Sequence, residues 1–337
     1  MKKAVKLNAH IAEQNSPLRD SANFVLNADT KRNIVIWRFS DGRAGHDSQS
    51  NGIIEALKDR VDCECHEVSV PFSFSSYCYG LLKIFPAVSH LPDPDLLVGA
   101  GHACHFPMLL TRHIRGGQAL VLMKPSLPTR LFDLCLIPGH DSFKAGPNII
   151  STEGPLNTLR PSSGLSMDHG LILIGGESKH FHWEEQKLLK QLLQILNSKD
   201  LNWTITDSPR TSLATRNILQ TLHKDKVTYI PFTGKQDTTL PNLLHKSGII
   251  WVSEDSMSMI YEALSTGASV GVLRIPAKAQ SRLADVAPSL AKKQLLTIFD
   301  DWLLNKSLSP PINILTESAR CADILIERYG WSRKKSV

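Results

Sequence analysis

One stretch of the sequence, residues 33–58, decides the fold: it reads NIVIWRFSDGRAGHDSQSNGIIEALK. Its apolar run, Ile34–Phe39, ends at a turn rich in aspartate and glycine, and a helical pattern follows from about Ser48 to Lys58. A short continuous apolar run next to a helix is typical of a parallel strand that is buried on both faces. We therefore expect a strand and a covering helix, joined by a loop that carries unusually polar side chains.

The same alternation of apolar runs and helical patterns recurs along the chain and restarts after a seam at 153–168, which is rich in Pro, Gly and Ser. It predicts an α/β fold with two Rossmann-like, doubly wound domains that face a cleft, with ligands at the carboxyl ends of their strands. The predicted segments are a flexible leader at 1–30, a first domain at 31–160, a second domain at 168–305, and a C-terminal helix within 306–337 that packs back across the seam.

The totals exclude several classes of protein. The 337 residues are 42% hydrophobic and 21% charged, with a formal net charge of +6, as in an ordinary globular protein. No basic helix or basic run with interleaved aromatics indicates nucleic-acid binding, and no apolar run is long enough to span a membrane. The mild positive charge suits a phosphate-bearing ligand or peripheral contact with an anionic membrane surface.

The cysteines and the N-terminus indicate a cytoplasmic protein. Peripheral contact with a membrane would then be with the inner membrane face. The N-terminus has a basic start without an apolar core, unlike a signal peptide. None of the six cysteines forms a CxxC pair, and we interpret them as reduced core thiols. They are Cys63, Cys65, Cys78, Cys104, Cys135 and Cys321.

Two glycine-containing loops follow predicted strands. In IGGESKH, residues 174–180, the amides of Gly175 and Gly176, the Ser178 hydroxyl and the Lys179 ammonium could cradle a diphosphate, or the glycines could simply make a tight turn. The sequence lacks the P-loop pattern, and the GAGHAC loop at 99–104 lacks the dinucleotide fingerprint. A nicotinamide-dependent enzyme is therefore disfavoured.

A helix is predicted after the strand that ends at Val252. Ser253 or Asp255 could cap it, Gly267 should end it, and Ser256 and Met257 lie at its start. Met259, Ala263 and Leu264 should face the core. Glu262 lies two turns from Asp255, where its carboxylate could accept two hydrogen bonds from a ribose diol; the alternative is an ordinary exposed helix glutamate.

The loop at 41–48 carries the candidate acid–base chemistry. Gly42 and Gly45 permit two bends, Asp47 or Ser48 could cap the next helix, and His46 would lie at the mouth of the first domain. Histidine titrates near neutral pH and suits a general base. Asp41 or Asp47 could orient His46 or act in its place. Turn building explains the aspartates and glycines but not Arg43 and His46 together.

Two further features lie at strand ends in the first half. His102, Cys104 and His105 follow Gly101 and suggest zinc, but no third ligand at a suitable spacing is evident, so we predict no metal site. Contact of these histidines with an acceptor, or plain packing, fits better. Lys124 ends the next strand and could meet an anionic acceptor or remain solvated.

Several of these motifs together resemble known proteins. Glu262, Ala263, Leu264 and Gly267 before a strand look like the donor site of GT-B glycosyltransferases, in which the matching glutamate holds the ribose. The stretches 41–50, 94–107, 121–128, 175–183 and 253–270 resemble the family of the plant mitochondrial-fission "elongated mitochondria" protein. Bacterial members are generally regarded as candidate glycosyltransferases. The loop with His46 resembles the first loop of lipid-linked GT-B transferases, whose histidine is a proposed base.

The resemblance implies transfer of a sugar from a nucleotide diphosphate to a cell-envelope glycan or glycolipid, such as lipopolysaccharide core, without a cofactor. The first domain would bind the acceptor and the second the nucleotide sugar, with Lys179 and Arg210 stabilising the leaving diphosphate. Two alternatives remain open. The protein could be a non-catalytic adaptor, as the plant relative is thought to be, or a sugar-nucleotide epimerase of the same two-domain shape.

Overall fold

The computed structural model describes residues 33–70, 88–141, 143–198, 200–234 and 239–334. The predicted leader at 1–30 lies outside the described residues, and so do residues 71–87. Cys78 falls in the same undescribed segment. The architecture is therefore given from Asn33 onward.

The first sheet is built from residues 34–152. Its strands are β1 (Ile34–Ser40), β2 (Cys63–Ser69), β3 (Leu96–Ala100), β4 (Gln118–Leu122), β5 (Leu134–Pro138) and β6 (Ile149–Thr152). All are parallel, in the order β2-β1-β3-β4-β5-β6. The associated helices are α1 (Ala44–Lys58) and α2 (His102–Arg115), with 3₁₀ turns at Thr129–Leu131 and Gly139–Asp141.

The second sheet is built from residues 166–298. Its strands are β7 (Ser166–Leu173), β8 (Asn202–Thr206), β9 (Val227–Ile230), β10 (Ser247–Ser253), β11 (Ser269–Leu273) and β12 (Thr297–Ile298). They are parallel, in the order β12-β11-β10-β7-β8-β9. Its helices are α3 (Glu185–Leu196), α4 (Leu213–Thr221), α5 (Thr239–Lys246), α6 (Met257–Thr266), α7 (Val286–Lys292) and α8 (Phe299–Asn305).

The predicted α/β fold with two doubly wound sheets is confirmed. Strand β1 shows why apolar runs predict the strands of this sheet. All seven of its residues are buried. Ile34 and Ile36 join one apolar cluster, whereas Trp37 and Phe39 join the cluster on the opposite face. A strand buried on both faces needs apolar side chains at consecutive positions, because successive side chains point to opposite faces.

The first helix differs from the prediction. It begins at Ala44, with Arg43 at the N-cap and no side-chain cap, so neither Asp47 nor Ser48 caps it and Gly45 makes no second bend. Asp47 lies in the first turn, where its carboxylate binds side chains of β1 and suits the positive helix end. This attraction stabilises an additional first turn of the helix, which capping rules based on the local sequence do not predict.

The last helix, α9 (Glu317–Tyr329), returns to the first sheet. Its residues Cys321, Ala322, Leu325 and Ile326 are buried in the same apolar cluster as residues of α1. Arg60, just after α1, binds Asp323 of α9 at 2.9 Å. The end of the chain thus belongs to the core of the first sheet, although the preceding helices cover the second.

Loops at the carboxyl ends of both sheets meet at the seam. Asp141, after β5, accepts a 2.7 Å ion-paired hydrogen bond from Arg282, which follows β11. The His140 ring lies nearly parallel to that of Tyr261 on α6, with centroids 6.5 Å apart. Gly154 packs so closely on Tyr261 that a Cβ there would lie 2.3 Å from the phenol ring. The carboxyl edges of the sheets therefore converge.

Candidate functional site

Each sheet has a topological switch point, where the strand order reverses. In the first sheet this point lies between β1 and β3, and in the second between β7 and β10. Open α/β sheets bind ligands in the crevice outside such points. Most of the predicted site residues lie in the loops that follow these strands.

His46 and Asp41 form a hydrogen-bonded pair at the first switch point. Nδ1 of His46 lies 2.9 Å from Oδ2 and 3.1 Å from Oδ1 of Asp41. The Asp41 side chain is 5% exposed and that of His46 17% exposed. In the neutral tautomer that donates from Nδ1 to this carboxylate, Nε2 carries the lone pair. A histidine held in this way could act as a general base.

The Asp41 carboxyl is held in its ionised form. Burial alone would raise its pKa, but hydrogen bonds from His46 and from the Arg43 amide outweigh burial and lower it. The Arg43 guanidinium is 66% exposed, with Nε 3.9 Å from Asp41. A carboxylate of this kind stabilises the imidazolium that forms when the base takes up a proton.

Gly101, after β3, makes room for this pair. It has a φ of +84°, and a Cβ there would lie 2.4 Å from Cε1 of His46 and 3.2 Å from Oδ2 of Asp41. Gly42 also has a positive φ, +74°, but nothing lies within 4 Å of its Cβ position. Gly42 therefore serves the turn, whereas Gly101 also serves the close approach of two loops.

Asp47 does not orient His46. Its Oδ1 atom accepts hydrogen bonds from Nη1 of Arg38 at 2.8 Å and from the Ser40 hydroxyl at 2.7 Å. Arg38 also binds Glu67 and, at 3.3 Å, Ser50. This network fixes the first turn of α1 against β1. Of the two aspartates considered, Asp41 is the partner of the histidine.

The second switch point holds Gly175 and Gly176, but not as a diphosphate cradle. The amide of Gly175 donates to Oγ of Ser253 at 2.7 Å, and that of Gly176 donates to Oδ2 of Asp255 at 3.0 Å. A Cβ on Gly175 would lie 2.2 Å from Asp255, and one on Gly176 2.0 Å from a backbone oxygen. The tight-turn alternative is right, because both amides already have partners.

Asp255 and Ser253 connect the loops that follow β7 and β10. Contrary to the prediction, neither of them caps α6. The Ser253 hydroxyl donates to Oδ1 of Asp255 at 2.7 Å, while Ser256 occupies the N-cap. Burial raises the pKa of Asp255 despite hydrogen bonds from Ser253, Gly176 and Arg210. Arg210 reaches Asp255 at 2.8 Å and remains 41% exposed, so one cation is held firmly at the switch point.

Ser178 has a different role from the predicted one. The Ser178 hydroxyl accepts from the amides of His180 and Phe181, both at 3.2 Å, so it builds a local turn. No helix follows directly, since α3 begins only at Glu185. Lys179 is exposed at the surface. The Lys179 side chain extends its positive charge towards solvent, next to the exposed Glu177.

The start of α6 offers an alternative place for phosphate. Ser256 is the N-cap without a side-chain cap bond, so the first-turn amides after it, from Met257 on, are not satisfied by that side chain. Helix N-termini favour anions. Gly267 ends the helix in the left-handed region, as predicted.

Glu262 lies on α6 and is the most perturbed carboxyl of the site. Its residue surface is partly accessible, yet burial raises its pKa to about 7. The carboxyl therefore lies in a recess that water reaches poorly. Among the described residues it makes no hydrogen bond or ion pair. A buried carboxylate without a partner is costly, and a ligand hydroxyl would supply the missing donors.

The remaining rim residues separate into exposed and buried ones. His102 is exposed at the start of α2, whereas His105 is 2% exposed. His105 packs edge-on to Phe132, lies 3.2 Å from the Ser126 hydroxyl, and has its pKa lowered by burial to about 4. Packing is thus the role of His105, whereas His102 and Lys124 are exposed.

Sequence reasoning missed or misassigned several contributors. Arg38 lies in an apolar strand and is buried. It could have been recognised from the sequence, because charged residues are rarely buried unless they have a partner. Ser253 was considered only as a cap. Tyr261 and the Asp141–Arg282 pair join the domains at the seam, which no local pattern reveals because the partners are distant in sequence.

Two cavities flank the seam. One of about 760 Å³ is lined by residues such as His140, Glu153, Tyr261 and Arg282, and one of about 340 Å³ by residues such as Gly52 and Asn157. Neither is lined by His46 or Glu262. In the described ranges, no group of three or more His, Cys, Asp and Glu side chains could hold a metal ion. Among the helices described, none is both long and apolar enough to cross a bilayer.

The two doubly wound parallel sheets, whose carboxyl edges converge, define an α/β fold of the GT-B-like type. The model of the family described as "Mitochondrial fission ELM1" matches residues 44–329. The chain therefore belongs to this family, and the resemblance seen in the sequence is confirmed.

Individual relatives agree with this placement. "Uncharacterized protein RP120" of Rickettsia prowazekii (strain Madrid E) is 22% identical over 353 residues, covering 86% of this chain and 97% of that protein. A solved UDP-N-acetylglucosamine 2-epimerase aligns with a TM-score of 0.56 at 14% identity, covering 91% of this chain and 99% of that one. A candidate epimerase of the same kind from Listeria monocytogenes aligns with a TM-score of 0.55 at 11% identity, covering 91% and 100%. At these identities the structures show a shared fold alone.

Proposed function

We propose that the protein is a glycosyltransferase that moves a sugar from a nucleotide diphosphate to the hydroxyl of a cell-envelope glycan or glycolipid. The observation that carries this proposal is the 2.9 Å contact between His46 and Asp41 at a topological switch point. An oriented, partly exposed histidine is suited to deprotonating a hydroxyl. Gly42, Arg43, Gly45, Gly101, His102 and Lys124 would border the acceptor.

The second domain would bind the donor. Glu262 would accept hydrogen bonds from the ribose hydroxyls, the amides at the start of α6 near Ser256 and Met257 would bind the diphosphate, and Arg210 and Lys179 would add positive charge. Charge of this kind stabilises a leaving diphosphate where no metal does so. Asp255, Gly175 and Gly176 would support the site by holding Arg210 and the loop in place.

In the proposed reaction, Nε2 of His46 takes the proton of the acceptor hydroxyl as its oxygen attacks the anomeric carbon of the donor. The bond between that carbon and the diphosphate oxygen breaks, and the electron pair leaves with the nucleotide diphosphate. Asp41 stabilises the imidazolium until the proton is released.

An epimerase is the second candidate, and the two solved structures with TM-scores of 0.55 and 0.56 favour it. The two reactions differ in their need for an acceptor. An epimerase would convert a UDP-sugar alone, whereas a transferase would consume it only with an acceptor, apart from slow hydrolysis.

The test is a thermal-shift screen with UDP-, GDP-, CMP- and dTDP-sugars, starting with UDP-N-acetylglucosamine, followed by product analysis. A ligand that binds only the folded state raises its apparent stability. Selective stabilisation by one nucleotide sugar, with transfer to an added glycan, would support the proposal. Absence of binding, with the biological phenotype intact in His46→Ala and Glu262→Ala, would instead support a non-catalytic adaptor.

A further inference from the structure

In the part of the chain that the structure describes, no helix covers one face of the first sheet over β5 and β6. The steps from β3 to β4, β5 and β6 all move the same way across the sheet, so right-handed connections place all three on one face. The first connection contains α2. Among the described residues of the other two there are only the 3₁₀ turns at Thr129–Leu131 and Gly139–Asp141.

These thin connections leave an open groove of about 760 Å³ on that face. Its apolar surface comes from the sheet and from both connections, including Leu127, Ile137, Phe143 and Ile149, which all belong to or pack against one apolar core cluster. A parallel sheet is normally covered on both faces. The groove therefore presents an apolar surface that a ligand could cover.

The charge on this groove has one sign. Lys124 and Lys144 line it and are exposed, and none of the described lining residues is acidic. Lys124 directly follows the carboxyl end of β4, the edge on which the acceptor is expected. By contrast, the cavity at the seam mixes cations with Glu153, Asp285 and Glu317. Among the described residues, the groove thus combines an apolar floor with two lysines at its rim, which complements an anion attached to an apolar chain.

We propose that this groove binds a phosphate-bearing lipid, with the chain on the Ile137–Phe143 surface and the phosphate near Lys124 and Lys144. The inference rests on the proposed function in that this lipid would be the acceptor, or its anchor. It makes the acceptor an anionic amphiphile rather than a free sugar.

The test is calorimetric titration of the full chain with three soluble probes: dihexanoyl phosphatidic acid below its micelle concentration, dihexanoyl phosphatidylcholine, and glycerol 3-phosphate. We expect phosphatidic acid to bind at least about tenfold more tightly than either of the others. Only phosphatidic acid offers both acyl chains to the apolar surface and a net negative charge to the lysines. Equal binding of glycerol phosphate would reduce the site to an anion site, and equal binding of the phosphocholine lipid would remove the role of the lysines. Either result, or no binding at all, overturns the proposal.

Variants locate the site. The double variant Lys124→Gln/Lys144→Gln should weaken phosphatidic acid binding by about tenfold, and Phe143→Ser should weaken it without changing the charge. The matched control, Lys224→Gln/Lys292→Gln, removes two exposed lysines elsewhere and should bind as the unmodified protein does. An equal loss in the control would place binding outside the groove.

A separate thermal-shift measurement with UDP-sugars distinguishes this inference from the proposed function. If the lipid binds in the groove but no nucleotide sugar binds, the transferase proposal fails and the lipid site stands. If a nucleotide sugar binds and is transferred while none of the lipids binds, the lipid site fails alone.

Discussion

At the scale of single residues, the structure divides the chemistry-bearing side chains into those held by the protein and those left for a ligand. Asp47 and Asp255 have their carboxylates bound to neighbouring arginines, and His105 is in the core. His46 keeps one ring nitrogen for an outside partner, and Glu262 has no partner among the described residues. The predictions at this scale concern the latter two.

Replacing His46 by alanine should lower the rate of sugar transfer by roughly 10²–10⁴-fold, the usual contribution of a general base. Donor affinity should change little, because His46 belongs to the other domain. Steady-state kinetics with the donor identified by the screen would measure both. The exposed His113→Ala is the control; an unchanged rate in His46→Ala would exclude this residue as the base.

Glu262→Gln should remove a pH dependence of stability. The pKa of Glu262 in the folded protein is raised from 4.5 to about 7, so its favourable contribution is complete below pH 4.5 and is lost as the pH rises towards 7. One pKa unit corresponds to about 1.4 kcal/mol, and partial exposure reduces the effect. We expect the variant to gain roughly 1–3 kcal/mol over the unmodified protein at pH 8 but not at pH 4, in urea unfolding.

The same carboxyl should make nucleotide binding pH-dependent. Ribose hydroxyls donate to the ionised form, so the affinity of the unmodified protein should rise between pH 6 and pH 8 in calorimetric titrations, near the pKa of about 7. Glu262→Gln should bind more weakly and show no such rise. The control is the exposed Glu177→Gln. A rise that persists in Glu262→Gln would assign it to another group.

At the scale of elements, the site depends on loops that approach one another at the switch points. The loops after β1 and β3 touch because those strands are neighbours with the order reversing between them. The loops after β7 and β10 touch for the same reason. Glycine is required where one loop would otherwise displace the side chain of the next.

Gly101→Ala and Gly116→Ala form a matched pair that tests this packing, since nothing lies within 4 Å of a Cβ at Gly116. Both alter a residue with positive φ, and both should lose about 1–2 kcal/mol of stability through backbone strain. Only the Gly101 variant places a methyl group within 2.4 Å of the His46 ring, so only it should also lower turnover, by about tenfold or more. Equal turnover in the two variants would show that the ring has room elsewhere.

At the scale of the whole molecule, the chain is fastened across the seam. Helix α9 returns to the first sheet after the second is complete, and Asp141–Arg282 and Glu153–Lys293 ion pairs link carboxyl-end loops to elements of the second sheet. The position of the cleft therefore depends on packing from both halves of the chain. Loss of the contacts that α9 makes should therefore destabilise the first sheet.

Leu325→Ala should destabilise the protein by roughly 2–5 kcal/mol, because Leu325 is fully buried and its truncation leaves a cavity. Leu304→Ala, at an 82% exposed position on α8, should change stability by less than about 0.5 kcal/mol. Guanidinium unfolding would measure both. A small effect at Leu325 would mean that α9 is only loosely attached.

The sequence by itself determined the strands, the two-sheet α/β class and the family. Apolar runs buried on both faces and glycine stops such as Gly267 are local signals, and each depends only on neighbours along the chain. The same local reasoning also identified His46 and Glu262 as candidates, since their residue types stood out at a strand end and on a helix.

Only the tertiary structure decided which candidates remain available to a ligand. Gly175 and Gly176 looked like phosphate donors until residues almost 80 positions away were found to accept their amides. Asp41 was preferred over Asp47 because Arg38 holds the latter. A hydrogen bond satisfies a polar group whether its partner is near or far in sequence. Which groups remain available to a ligand is therefore a property of the folded chain.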